Sequence, residues 1–247
     1  MTSQTNTAAN LQTFYSYMER TASNRVDLIV FPEVALQVCP GWREDSSPPS
    51  VREMAYTRQT AETIPGQSTS NVVAKAKELN LFVVFGMTEK DAAGLLYNAN
   101  VFLGPDGVIG KHRKTYFIGN DSQIWHLGSG YAVLDSQIGN IGLIICIELW
   151  SGGNYPGPLL ASQGTDLLVT SSAWWSSGAD SWATATVVNA VQSKRWHVAS
   201  QQVGTIGHVQ VYGHSQIVDP KGTIVCDTGA MAGLVIWATD IMIDAGR

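Results

Sequence analysis

The chain has 247 residues, with 20 acidic against 15 basic side chains and a net charge of −5; 45% of it is hydrophobic and only 14% charged. That balance describes a folded chain with a large apolar core and excludes a disordered or fibrous one. The acidic excess, with no extended cluster of Lys and Arg, also excludes nucleic acid as an expected partner.

The apolar runs Leu28–Phe31, Leu81–Phe85 and Ile141–Ile147 are too short to span a bilayer, and Met1–Asn10 is polar, without the apolar heart of a signal peptide. The expectation is a cytoplasmic protein with no membrane partner. Cys39, Cys146 and Cys226 lie far apart, with no C-x-x-C pair and no zinc-ligand spacing. In a reducing compartment they are packing residues or a reactive thiol.

In chain order, Leu11, Phe14, Tyr15 and Met18 mark an amphipathic helix over 7–22. Val26–Phe31, closed by Pro32, reads as a buried strand. Arg43–Pro65 lacks periodicity and is expected to be a loop that can carry a short helix. Ser68 or Ser70 is positioned to cap a helix carrying Val72, Val73, Ala76 and Leu79, and Leu81–Gly86 follows as a strand. Tyr97–Leu103 and Val108–Lys111 flank Gly104-Pro105-Asp106-Gly107, a hairpin signal.

Further along, Val133–Asp135 and Ile141–Ile147 are strand-like around Gly139-Asn140. Tyr155–Gln163 suits a helix, Leu167–Ser171 a strand, and Trp182–Lys194 a helix with Val187, Ala190 and Val191 inward. Val198–Val203, His214–Val218, Thr223–Cys226 and Leu234–Ile241 complete the strands. Strands alternate with helices and hairpins are added, which predicts an α/β fold with mixed sheets. No linker or composition shift divides the chain, so one domain is expected over 1–247.

Three segments end predicted strands with chemically useful groups. Glu33 follows Leu28-Ile29-Val30-Phe31-Pro32, where partial burial would raise a carboxyl toward a working base; a helix-capping glutamate is the plainer alternative. Lys114 ends Gly110-Lys111-His112-Arg113, a run that by itself suits a solvated turn. Cys146 ends Ile141-Gly142-Leu143-Ile144-Ile145, where an inert packing thiol is the commoner case unless a base and a cation stand beside it.

The order of these segments resembles the nitrilase superfamily. The resemblance runs through Asp27–Glu33, Tyr97-Asn98, Gly104–Gly107, Gly110–Lys114, Gly142–Cys146, Asp166–Val169 and Ile217–Pro220. It implies a four-layer α-β-β-α sandwich, assembled as a homodimer or larger homo-oligomer. It also implies a hydrolase with Cys146 as nucleophile, Glu33 as base and Lys114 as electrophilic partner, with the Ile147 N–H sharing the developing charge. The substrate class is a small-molecule amide or nitrile, and neither a metal nor an organic cofactor is required.

Asp121 stands where relatives carry a second glutamate, one methylene longer. Cys146-Ile147-Glu148 shares its acid with nitrile-hydrolysing members but lacks their aromatic, and Ile147, Glu148 and Trp150 are expected at the substrate. Trp150 replaces an arginine that in amidase-type members holds a substrate carboxylate, which favours an apolar or aromatic substrate. Trp174 and Trp175, with Trp42, Trp125 and Trp150, are candidates for an aromatic-walled pocket, ordinary packing being the alternative for each.

Asn189 and Gln192 occupy positions that are a charged pair in relatives. The family's first strand has almost no room before the helix, so the edge beside Val26–Phe31 is expected to be open. The leading expectation is hydrolysis of an uncharged carboxamide through a thioester. A nitrilase, an acyl- or amidotransferase and a non-catalytic binding or assembly scaffold are the alternatives.

Overall fold

Strand and helix periods alternate through the first half of the chain, and the fold follows them. The computed structural model describes residues 1–153 and 155–239, without the side chains of 151–153. Helix α1 (Thr7–Ala22) is capped by the Asn6 side chain and buries Leu11, Phe14 and Met18, one stripe at helical spacing. The first sheet runs in the order β1-β2-β3-β4, formed by Leu28–Val30, Phe82–Lys90, Leu96–Gly104 and Gly107–Arg113. β1 pairs parallel to β2, and β2, β3 and β4 are antiparallel neighbours.

The second sheet runs β12-β11-β8-β7-β6-β5. Its strands are β5 (Val133–Leu134), β6 (Ile141–Ile145), β7 (Leu167–Ser172), β8 (Trp196–Gln201), β11 (Gln216–Val218) and β12 (Ile224–Asp227). β6, β7 and β8 are parallel, and the outer pairs are antiparallel. β9 (Val203–Ile206) and β10 (Val209–Tyr212) make a separate hairpin.

The two sheets face each other through Phe82, Val84, Phe102, Ile141, Leu143, Leu167 and Val169. Helices α1 and α3 (Gln67–Leu79) cover the outside of the first sheet, burying Val72 and Ala76 against Phe85 and Val101. Helices α4 (Pro156–Ser162) and α5 (Ala179–Ser193) cover the second through Leu160, Trp182 and Ala185. The result is the four-layer α-β-β-α sandwich.

The short helix allowed for within Arg43–Pro65 is α2 (Val51–Thr60), which forms because Ser50 and Glu53 complete a capping box, a signal outside any apolar periodicity. Several other expectations need correction. Helix α3 starts at Gln67 with Gly66 as its cap, so Ser68 and Ser70 lie inside it. In α5, Val191 is exposed and Val187 half-buried, and polar Thr186 and Asn189 point inward instead.

Asn189 accounts for its own burial. It accepts from Gly157 N–H at 2.8 Å and donates to the Leu149 carbonyl at 3.1 Å, tying α5 to α4 and to the turn after Cys146. Of the expected strand Leu234–Ile241, residues 234–239 carry none, and Asp240 and Ile241 lie outside the described residues. Among the described residues β1 pairs with β2 only. Against its other edge lies a cavity of about 550 Å³, lined by Leu28, Val30, Trp196, Val198 and Trp237 among others. No described helix is long and apolar enough to cross a membrane.

Candidate active site

Glu33 leaves β1 by a sharp route. Gly86 of β2 lies directly beneath the Pro32-Glu33-Val34 turn, and a β-carbon there would sit 2.5 Å from Val34 N and 2.6 Å from Glu33 Cα. Only a residue without a side chain permits that approach. Val34 and Val38 both take the left-handed backbone region, at φ 44° and 40°, which β-branched residues avoid. The strain sits on either side of a segment fixed by Leu36 N–H donating to the Gly86 carbonyl at 3.1 Å.

Lys114 follows β4 and is held through its backbone: its N–H donates to the Asn98 carbonyl and its carbonyl accepts from Gly128 N–H, both at 2.8 Å. Gly128 is required for this contact, since a β-carbon there would meet the Arg113 carbonyl oxygen at 2.2 Å. Cys146 ends β6 with φ 48° and opens a 3-10 helix over Cys146–Gly153. The thiol is thus turned out of the sheet at the start of a helix whose first N–H groups lack intrahelical partners.

These three strand ends converge. Lys114 Nζ lies 2.9 Å from Glu33 Oε1 and 2.9 Å from Asp121 Oδ2, and all three side chains are fully buried. Asn98 Nδ2 donates to Glu33 Oε1 at 2.7 Å, and Ala173 N–H, just beyond β7, donates to Oε2 at 3.0 Å. Asp121 accepts from Trp42 Nε1 at 2.6 Å and from Ile118 N–H at 3.2 Å. Aspartate reaches Lys114 despite its shorter side chain because it sits in a 3-10 turn, Asp121–Gln123, pulled inward by Trp42.

Electrostatics follow from burial and neighbours. Burial raises the Glu33 carboxyl above its ordinary range and Asp121 adds to that, against the opposing pull of Lys114 and Asn98. For Lys114 burial acts downward, but the Asp121 and Glu33 charges outweigh it and hold the ammonium charged. Burial and the Glu33 charge push the Cys146 thiol up, while Lys114, the Ser172 hydroxyl and Ala173 N–H act the other way. At rest the thiol is protonated, beside a carboxylate able to take its proton. Cys39 has a different setting: burial pushes it to about 12, and the groups acting the other way are the Gly41 backbone and the Thr57 side chain, with no lysine among them.

The remaining candidates divide. Ile147 and Trp150 are half-buried and pack with Cys146 and Leu149, Trp150 standing 5.8 Å from the Tyr155 ring. Trp175 is half-buried and meets Trp42 edge-on at 6.5 Å; the Trp42 ring in turn lies 5.6 Å from Lys114 Nζ. Trp125 packs on Trp42 from another side at 5.8 Å. Trp174 lies in the core, its Nε1 donating to the Gly178 carbonyl at 2.8 Å and its ring 5.5 Å from Trp182.

Glu148, expected at the substrate, is fully buried and its oxygens are taken up by internal donors. Sequence reasoning missed Asn98, Ala173 N–H and the anchoring role of Trp42. Two asparagines alternating in an apolar strand, Asn98 and Asn100, were the available signal, because buried amides need partners.

Comparison with known proteins agrees with this fold. A probable nitrilase of Schizosaccharomyces pombe is 26% identical over 223 residues, 87% of this chain and 76% of its own length. An omega-amidase of Homo sapiens is 27% identical over 198 residues, 75% of this chain and 71% of its own. A Saccharomyces cerevisiae structure described as a member of branch 10 of the nitrilase superfamily superposes with a TM-score of 0.78 at 24% identity, covering 93% of this chain and 83% of that one. An amidase from Nesterenkonia superposes at 0.79 with 15% identity, covering 94% and 87%. The family model described as carbon-nitrogen hydrolase matches residues 1–242, nearly the whole length over which these strand ends are assembled, and the chain belongs to that family.

Proposed function

We propose that this enzyme hydrolyses a small uncharged carboxamide, with Cys146, Glu33 and Lys114 as its catalytic residues. The observation that carries the reading is the buried ammonium of Lys114, 2.9 Å from Glu33 and 2.9 Å from Asp121, beside a protonated thiol. Glu33 accepts the thiol proton as sulfur bonds to the amide carbon. Lys114 and the N–H of Ile147 then stabilise the negative charge on the carbonyl oxygen. Collapse breaks the C–N bond, with the Glu33 proton leaving on the amine. Water, deprotonated by Glu33, next attacks the thioester, and the carboxylic acid departs as the thiol is restored.

The preference for an uncharged substrate rests on charge balance. Two carboxylates surround one ammonium, and the neighbouring cation Arg43 is already bound by Glu53 at 3.0 Å and by the Gly41 carbonyl at 2.7 Å. An anionic substrate would meet net negative charge in a low-dielectric site. Half-buried Trp150, Trp175 and Ile147 suit an apolar or aromatic acyl group.

A nitrile substrate is the second reading. It is favoured by the probable nitrilase and an aliphatic nitrilase among the relatives, the latter 28% identical over 148 residues but only 48% of its own length. Exposed Leu159 and Val191 on α4 and α5 support self-association across that helical face, which sedimentation velocity would measure.

The test is intact-mass spectrometry of wild type and Cys146→Ala after brief exposure to paired amides and nitriles, with ammonia assayed alongside. An acyl adduct on wild type only, with ammonia released from the amides, supports the reading. Release from the nitriles alone favours the nitrilase. Turnover that survives Cys146→Ala refutes the thiol mechanism.

A further inference from the structure

Glu148 sits two residues beyond the nucleophile and is fully buried, yet burial does not neutralise it. Desolvation is outweighed by His112 and Thr115, which hold its carboxyl below the usual range. His112 Nε2 donates to it at 2.8 Å, Thr115 N–H at 2.6 Å, the Thr115 hydroxyl at 2.7 Å and Ile145 N–H at 2.6 Å.

The identities of these donors matter. His112 and Thr115 stand on either side of Arg113-Lys114, the first within β4 and the second just past the end of that strand of the first sheet. Ile145 immediately precedes Cys146, on the second. One carboxylate therefore grips the backbone around the lysine and the residue before the thiol at once. The imidazole is itself held in place by stacking on Tyr131, ring centroids 5.2 Å apart.

We propose that His112 and Glu148 form a buried positioning brace, which fixes the Lys114 strand end of one sheet against the Cys146 turn of the other. The proposal takes the roles of Lys114 and Cys146 from the reaction given above. Charge-assisted hydrogen bonds to a buried carboxylate are short and directional, so they set distance as well as satisfying the charge. Glu148 also takes the Ile145 N–H, which leaves the turn that follows to present its amides beyond the thiol. The brace acts through Lys114 and Cys146 and touches no substrate.

Its test needs no turnover. The 247-residue chain is compared as wild type, His112→Phe, His112→Gln, Thr115→Val and Glu148→Gln, each confirmed as folded by near-UV circular dichroism. The rate of Cys146 alkylation by iodoacetamide is followed against pH, with the modified cysteine located by mass spectrometry. His112→Phe keeps the stack on Tyr131 and removes the donor; His112→Gln keeps a donor at nearly the Nε2 position.

With the brace cut, Lys114 recedes from the thiolate, and alkylation at a fixed pH slows by about three- to tenfold in His112→Phe and Glu148→Gln. Thr115→Val slows it less, and His112→Gln stays within about twofold of wild type. Amide turnover follows the same ranking, kcat falling by roughly 10–100-fold with little change in KM.

A folded His112→Phe whose profile overlays wild type, or alkylates faster, overturns the proposal. So does a His112→Gln as slow as His112→Phe. A wild type that alkylates at Cys146 but turns over no amide or nitrile refutes the proposed reaction instead, and the alkylation ranking still decides the brace.

Discussion

Replacing Asp121 by asparagine removes one charge from the Lys114 cluster and almost no volume. In the native site Oδ1 accepts from Trp42 Nε1 and Oδ2 accepts from Lys114 Nζ and Ile118 N–H. An asparagine has one acceptor oxygen. If it faces Trp42, the amide NH2 is turned toward an ammonium and an N–H; if it faces Lys114, the NH2 is turned toward the indole donor. Either way a buried ion pair is broken and a donor is left facing a donor, a combination worth about 3–5 kcal/mol.

For a protein of this size that corresponds to a fall in melting temperature of roughly 6–20 °C, read by differential scanning calorimetry. The same substitution moves the pH dependence of the reaction. Asp121 raises the Glu33 carboxyl, so its loss lets Lys114 pull Glu33 down. The acid limb of kcat/KM, set by Glu33 losing its proton, then shifts to lower pH. An acid limb that moves up, or a melting temperature unchanged from wild type, refutes the reasoning.

Other outcomes follow from the same structure. Gly86→Ala drives a methyl into Val34 N and Glu33 Cα, displacing the base; kcat falls about tenfold or more, and stability by roughly 1–3 kcal/mol in urea unfolding. Trp42→Phe leaves Asp121 Oδ1 without its donor, and the same unfolding assay should show a loss of about 1.5–3 kcal/mol. His197 is buried between Thr170 Oγ1 and the Thr186 carbonyl, and burial lowers its pKa from 6.5 to about 4. Unfolding frees it to take up a proton, so stability is full above pH 6.5 and falls by roughly 3 kcal/mol toward pH 4; His197→Gln flattens that slope.

Much of this architecture was legible in the sequence because single-stripe periodicity survives where one face alone is buried. Helix α1 spans Thr7–Ala22, the range its apolar spacing predicts. The Pro-Asp-Gly turn likewise sits between β3 and β4. Glu33 and Cys146 could be picked out because each follows an apolar strand, whereas Lys114 ends a basic run and became legible only through the order of the three segments. What stayed hidden depends on tertiary partners. The inward face of α5 is polar because Asn189 finds two backbone groups across the layer. Glu148 reads as a pocket residue by its place after the nucleophile, and its donors His112 and Thr115 lie more than thirty residues earlier, at the end of β4 and just beyond it.

The left-handed valines beside Glu33 bear on how this enzyme can be improved. A search for thermostability would flag Val34 and Val38 as the first positions to relax, with glycine or asparagine as replacements, since each strained residue costs on the order of 1–3 kcal/mol. That relaxation would come from the segment that aims the base. Variants chosen for heat tolerance alone would gather there and lose turnover, whereas the same gain sought in the surface helices would leave the chemistry intact.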